Sequence, residues 1–189
     1  MRNDDMNRAI PVVIAIVGLG TIPGSSLLFG PSAQPNVPVE FRPAWTEFKW
    51  PFLVDQWGMG RAFVCKPADC GTEVKVYVRP KNGFCNCAPG DIDDEELDRV
   101  GDKELMAPEA VASGRSRSVE IASMKGRSRV FEKADTTRAR FLLIAFHDRC
   151  DLIVAVATFA PGNQDAVEPA VVAFLNSDRM VRWLKWLTL

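Results

Sequence analysis

The first forty residues of the chain differ sharply from the rest in charge. No charged residue occurs between Arg8 and Glu40, and residues 9–29 are largely apolar. As a helix, this stretch would be about as long as the ~30 Å hydrocarbon core of a bilayer. The remainder has the mixed apolar and charged composition of a globular domain. We therefore expect a membrane-directing segment over residues 1–30.

Two interpretations of this segment compete. Residues 10–22 fit the apolar run of a secretory signal peptide, with Pro23 and small residues after it. Residues 9–29 fit an uncleaved anchor, because membrane helices tolerate proline and glycine. The sequence favours the anchor slightly, since Ala33 follows Pro31 at a spacing unsuited to signal cleavage.

A linker and a single domain follow the hydrophobic segment. Residues 31–44 contain four prolines, which predicts an extended, semi-rigid spacer. Residues 45–189 are enough for one domain with one core. The formal net charge of −1 gives no overall field that would attract nucleic acid.

Four of the five cysteines fall between Cys65 and Cys87, as Cys65-x4-Cys70-x14-Cys85-x-Cys87. Structural zinc sites usually have two Cys-x2–4-Cys pairs, and the second pair here is too closely spaced. We expect two disulfides, with Cys65–Cys87 and Cys70–Cys85 as one of three possible pairings. Disulfides place the domain in an oxidising, extracytoplasmic compartment. Metal binding and redox exchange remain alternatives, and no cofactor is predicted.

The hydrophobic pattern predicts an α+β domain: an antiparallel sheet covered by helices. Residues 73–79 alternate as a half-buried strand, and 140–147 and 151–159 are apolar on both faces, as in central strands. The other predicted elements are strands over 57–65, 118–124 and 127–133, with a turn at Lys125-Gly126, and helices over 93–106, 165–177 and 178–189. The closing helix should be capped by Asp165 or Glu168, carry Pro169 in its first turn and bury Val167, Val171, Phe174 and Leu175.

The apolar run over residues 141–159, then Pro161-Gly162, then a helix ending in Phe174-Leu175-Asn176-Ser177, resembles the carboxy-terminal half of PsbP-like proteins. The resemblance implies an extracytoplasmic α+β domain that serves as an extrinsic subunit of a membrane complex. It implies no site residue in this chain.

Few residues suggest catalysis. His147 is the only histidine and lies near Cys150, and a Cys–His pair can form a nucleophile. Ordinary packing is the better interpretation of both residues, and no catalytic set is predicted. Residues 91–104 are acidic and 115–140 basic. They form either two solvated faces lying near each other or a bipolar surface for a charged partner.

The carboxy-terminal tail is the predicted partner-binding element. Trp183, Trp186 and Leu187 share one face of a helix, and so much apolar surface at a terminus must pack on the domain, a partner or a bilayer. Together these features predict a non-enzymatic accessory subunit with its domain on the periplasmic side. It would be a single-pass protein of the cell membrane, bound to subunits of a larger membrane complex. The alternative is a periplasmic metal- or small-ligand-binding protein that uses the Cys65–Cys87 cluster.

Overall fold

The computed structural model describes residues 43–83, 92–134, 139–148, 151–160 and 164–187. Within these ranges, seven strands form one antiparallel sheet: β1 (Trp45–Phe48), β2 (Arg61–Cys65), β3 (Val74–Lys81), β4 (Val111–Ile121), β5 (Met124–Glu132), β6 (Arg140–Asp148) and β7 (Asp151–Phe159). Their order across the sheet is β1-β2-β3-β7-β6-β5-β4. The helices are α1 (Pro67–Cys70), α2 (Asp94–Val100), α3 (Gln164–Leu175) and α4 (Asp178–Leu187), with a 3-10 turn at Lys103–Leu105.

The sheet joins two groups of strands. Strands β4 to β7 form a meander of sequential hairpins, whereas β3 pairs along its whole length with β7. Val74 lies opposite Phe159 and Lys81 opposite Leu152. Because β6 and β7 have neighbours on both sides, the prediction that they are central strands is confirmed.

Each face of the sheet carries its own apolar cluster. On the first face, side chains of β2, β3, β6 and β7 pack with Val171 and Leu175 of α3 and with Met180 and Leu184 of α4. On the second face, side chains of β5, β6 and β7 pack with Leu97 of α2. The α+β class and the antiparallel sheet are confirmed, while the described helices pack over parts of each face.

The β4–β5 hairpin turns three residues earlier than the sequence predicts. Ala122 and Ser123 form the turn with φ angles of 53° and 69°, so two non-glycine residues are left-handed. Gly126 instead lies within β5, where an added Cβ would collide with Ala145 O and with Phe146. The prediction of a turn at Lys125-Gly126 was therefore wrong, because Gly126 permits close packing of β5 against β6 and does not reverse the chain.

Two helix predictions also need correction. The predicted helix over 93–106 is capped by the Asp93 carboxylate, as its acidic start indicated, but ends at Val100. Gly101 follows, where a Cβ would collide with the Leu143 side chain. Pro169 was predicted in the first turn of α3 and lies inside that helix. The predicted inward residues of α3 are all buried.

Residues 1–42, which carry the predicted membrane segment and most of the linker, lie outside the described residues. Within the described ranges, no helix has both the length and the apolar character needed to cross a membrane.

Candidate functional site

A disulfide joins Cys65, the last residue of β2, to Cys70, the last residue of α1. Pro67 begins this short helix, and Gly71 ends it in the left-handed conformation. The two Cα atoms are 6.0 Å apart, a usual separation for a disulfide. The nested pairing was therefore wrong, because Cys65 bonds to Cys70.

The remaining cysteines, Cys85, Cys87 and Cys150, lie outside the described residues. Two of the four thiols that a metal site in this cluster would use are joined in the disulfide. Zinc binds the thiolate form of cysteine, so such a site would require reduction of that bond. Among the residues that the structure describes, no group of three or more histidine, cysteine, aspartate or glutamate side chains is arranged to hold a metal.

The β1–β2 connection, residues 49–60, packs on the second face of the sheet through its aromatic side chains. Trp50 and Phe52 make edge contacts with Tyr77 of β3, at ring-centroid distances of 6.2 and 4.9 Å. Gly60 lies so close to Trp50 and to Arg79 that a Cβ would collide with both. The missing side chain at Gly60 thus lets the connection lie directly on β3.

A buried ionic cluster fixes this connection to the sheet. Arg79, only 3% exposed, donates from Nε and Nη2 to Asp102 at 2.6 and 2.7 Å. Its Nη1 donates to both carboxylate oxygens of Asp55 at 2.8 Å. Lys81 donates to Val100 O at 2.7 Å and pairs with Asp102 at 2.8 Å. Every charge in the cluster therefore has an opposite partner, as buried charges require.

Within this cluster, the hydrogen bonds of Asp55 and Arg79 favour the ionised forms of these two side chains. Burial opposes the charge of Asp55, but hydrogen bonds from Arg79 and from the Trp57 N–H outweigh burial and lower the pKa of that carboxyl. Burial likewise opposes the charge of Arg79, and its bonds to Asp102 and Asp55 raise the pKa of the guanidinium. Asp55 and Arg79 therefore both stay charged near neutral pH.

Helix α4, the predicted partner-binding tail, packs on the domain through part of its surface. Met180 and Leu184 are completely buried, and Trp183 and Leu187 are half-buried against the first-face cluster. Trp186 is 71% exposed. Of the three residues predicted to bind a partner, Trp183 and Leu187 therefore lie against the domain, whereas Trp186 points into solvent.

Polar contacts hold α4 against β1 and β2. Glu47 accepts hydrogen bonds from Arg61 at 2.7 and 2.5 Å and from Arg179 at 2.6 Å. The Arg61 guanidinium also lies 5.1 Å from the centre of the Trp183 ring. The hydrogen bond from Arg61 lowers the pKa of Glu47, with a smaller contribution from Arg179.

Among the described residues, four of the five large apolar side chains that remain exposed belong to the β1–β2 connection and to α4. Leu53, Val54 and Met59 are 92%, 65% and 67% exposed and belong to the β1–β2 connection. We refer to these three residues, together with Trp186 and the half-buried Trp183 and Leu187, as the apolar end. The sequence pattern indicates the two tryptophans of this surface but not Leu53, Val54 and Met59, because the segment between Pro51 and Gly60 has no periodic distribution of apolar residues.

The oppositely charged segments contact each other within the domain. Arg129 of β5 pairs with Asp98 of α2 at 3.1 Å, and Ser116 of β4 bonds to Asp94. Arg127 donates to Ile92 O at 2.9 Å. Part of the charge of each segment is therefore neutralised inside the chain.

A small polar pocket lies where β4 and β5 meet α3. Glu168 accepts hydrogen bonds from Arg117, at 2.6 Å, and from the buried hydroxyl of Ser128. Asp165 completes its polar lining, and Val130 and Phe159 are among its apolar walls. His147, a half-buried residue of β6, does not line this pocket. The arrangement secures α3 to the β4–β5 hairpin.

No known protein-family model matches the chain, and neither does any of the curated proteins compared with it.

Proposed function

We propose that this protein is a non-enzymatic accessory subunit of a membrane protein complex. Residues 1–30 tether it to the cell membrane, and the α+β domain docks on the complex from the extracytoplasmic side. The observation that carries the proposal is the Cys65–Cys70 disulfide, because such bonds persist in oxidising compartments.

Three further observations support this role. The uncharged run over residues 9–29 has the length of a membrane anchor. The resemblance of residues 141–177 to PsbP-like proteins implies an extrinsic subunit, and the antiparallel α+β fold agrees with that class. The apolar end presents Leu53 and Trp186 to solvent, and exposed apolar groups of this kind are typical of interaction surfaces.

Purification from native membranes tests the proposal. The full chain with a carboxy-terminal tag is extracted in mild detergent, and its mass is measured by size exclusion with light scattering. We expect a particle much larger than the 20.9 kDa chain with its detergent, containing other membrane proteins in fixed ratio. Recovery of a lone soluble species without its amino terminus would contradict the proposal.

The compartment is tested separately through the disulfide. Free thiols in intact cells are alkylated before lysis, and peptides containing Cys65 and Cys70 are then examined by mass spectrometry. We expect these two residues to be cross-linked and unmodified. If both carry the alkyl group, the domain lies in a reducing compartment and the assignment to the extracytoplasmic side fails.

A further inference from the structure

We propose that the apolar end inserts among the headgroups of an anionic lipid bilayer. This inference rests on the proposed membrane tether and specifies the partner of the predicted partner-binding surface. The bilayer would hold the domain in a fixed orientation beside the complex it serves.

The contacts of Arg61 bring both parts of the apolar end to one end of the sheet. Arg61 begins β2 directly after Met59 and Gly60, and its guanidinium lies over the Trp183 ring. Trp186 follows Trp183 by about one turn of α4. Leu53, Val54 and Met59 belong to the connection that enters β2 at Arg61, so both parts of the apolar end adjoin the start of this strand, the connection from the second face of the sheet and α4 from the first.

The β1–β2 connection presents its apolar side chains on a fixed turn. The Gly58 N–H donates to Asp55 O at 3.0 Å, and the Trp57 N–H donates to the Asp55 carboxylate at 2.9 Å. Val54 and Met59 flank this turn. Because Arg79 of β3 also forms an ion pair with the Asp55 carboxylate, the turn is held against β3. The backbone of the turn is therefore already ordered before Val54 and Met59 enter a bilayer, which lowers the entropic cost of binding.

The charges around the apolar end complement anionic headgroups. Residues 47–61 and 178–187 carry five basic and three acidic side chains: Lys49, Arg61, Arg179, Arg182 and Lys185 against Glu47, Asp55 and Asp178. Glu47 pairs with Arg61 and Arg179, which are two of these five, and Asp55 pairs with Arg79, so five basic against three acidic groups leave a net charge of +2 in the two segments. An excess of positive charge thus surrounds apolar and tryptophan side chains, the combination that proteins use at membrane interfaces.

The same charges favour a bilayer over a second copy of this chain. Two copies meeting at their apolar ends would place basic side chains against basic side chains, and apposed like charges oppose association. An anionic bilayer attracts them and also accepts the apolar side chains.

Tryptophan quenching in vesicles tests the inference on the full chain. The protein is reconstituted in phosphatidylcholine containing about one third phosphatidylglycerol, with lipids brominated close to the headgroup. The contribution of Trp186 is the difference in quenching between the native chain and Trp186→Phe. The test variant is Leu53→Ser/Val54→Ser/Met59→Ser, and the matched control is Val111→Ser, which alters an exposed apolar residue of β4.

We expect Trp186 to be quenched in the native chain and in the control. In the triple variant, in high salt and in vesicles without phosphatidylglycerol, its quenching should fall at least by half, while flotation with the vesicles is unchanged. Flotation without quenching of Trp186 would overturn the inference, and the surface would then face a protein. The inference would also be overturned if light scattering showed a dimer for the native chain and a monomer for the triple variant, because the apolar end would then bind a second copy. Failure of the native chain to float would instead contradict the proposed tether.

Discussion

Arg79 is the residue on which three separate parts of the chain converge. It projects from β3, binds Asp55 in the β1–β2 connection and binds Asp102 in the segment after α2. These two ion pairs explain why a strand that the sequence predicts to be half-buried contains an arginine. The sequence places it on the polar face of β3, yet cannot show that this face is covered by two carboxylates from distant segments.

Asp102 is the most sensitive position of the ionic cluster. Asp102→Asn keeps the size of the side chain but leaves Arg79 with Asp55 alone and removes the carboxylate from Lys81. Removing one partner of a buried ion pair costs about 3–5 kcal/mol. We expect a loss of this size in the free energy of unfolding, measured by urea denaturation at neutral pH.

The exposed pair between Glu96 and Arg99 provides the control for Asp102. Glu96→Gln breaks an ion pair on the surface of α2 and should cost less than about 1 kcal/mol. The triple variant Arg79→Met/Lys81→Met/Asp102→Leu should recover part of the loss, because it leaves no unpaired charge in the cluster's buried centre. Equal effects of Asp102→Asn and Glu96→Gln would show that the cluster contributes little.

At the level of elements, α1 and α4 depend most on contacts that no local pattern in the sequence reports. α1 is a single turn closed by the disulfide and follows β2 directly. α4 contributes Met180 and Leu184 to the core and leaves Trp186 exposed, so of the three places where the sequence allowed the tail to pack, the domain takes one part of its surface.

Breaking the Cys65–Cys70 bond should have a moderate effect. Cys70→Ala removes the cross-link and leaves the Cys65 thiol to fill its buried position. The bond spans a sequence separation of 5, and so short a loop is worth about 2 kcal/mol in the chain-entropy model. We expect the free energy of unfolding to fall by that amount in urea, and a thiol assay to detect Cys65 in the variant. An unchanged free energy of unfolding would show that the bond does not constrain the unfolded chain.

Removal of α4 and substitution of its exposed residue should give opposite results. Deleting residues 178–189 strips two fully buried side chains from the first-face cluster, and each such loss costs about 2–5 kcal/mol. We expect the shortened chain to lack a cooperative unfolding transition by circular dichroism. Trp186→Ala should leave the melting temperature nearly unchanged, because its ring is mostly exposed. If the shortened chain still unfolded cooperatively, α4 would not be part of the folding unit, and this prediction would be wrong.

For the molecule as a whole, sequence periodicity predicted most strands and missed what depends on close packing. β7 begins and ends where its pattern predicts, because an apolar run with turn residues on both sides, Asp148-Arg149 before it and Pro161-Gly162 after it, indicates a buried strand. The turn at Ala122 was missed because glycine is the usual signal for positive φ, and Gly126 serves strand packing instead. The apolar end was missed in part because the sequence does not distinguish the exposed Leu53 and Val54 from the half-buried Trp50 and Phe52 beside them.

Acid should destabilise the domain through carboxylates on several elements. The pKa values of Glu47, Asp55 and Asp94 are all lowered by hydrogen bonds in the folded state, from Arg61, from Arg79 and Trp57, and from Ser116, respectively. At pH values between these lowered pKa values and the ordinary carboxyl pKa, the unfolded chain therefore binds more protons than the folded chain. The free energy of unfolding is thus highest above the ordinary carboxyl pKa and falls as pH falls through the folded pKa values. Thermal melts from neutral to acidic pH should show this decline.

A double substitution isolates part of that decline. In Glu47→Gln/Asp55→Asn, the melting temperature should be lower at neutral pH and should change less on acidification than in the native chain. Val111→Ser, which alters an exposed apolar residue of β4 and removes no titratable group, serves as the control and should keep the native slope. Parallel curves for the native chain and the double variant would show that these carboxylates do not couple folding to pH.

The order of strands in the sheet also governs when folding can be completed. β3 lies between β2 and β7, and β7 begins 70 residues after β3 ends, at Asp151 and Lys81 respectively. A ribosome or a secretion channel that releases the chain from its amino terminus therefore delivers β1 to β3 long before their central partner. Until β7 emerges, Val74, Val76 and Val78 have an unpaired strand edge beside them. We expect the interval between the release of β3 and of β7 to be the period in which this protein most needs a chaperone.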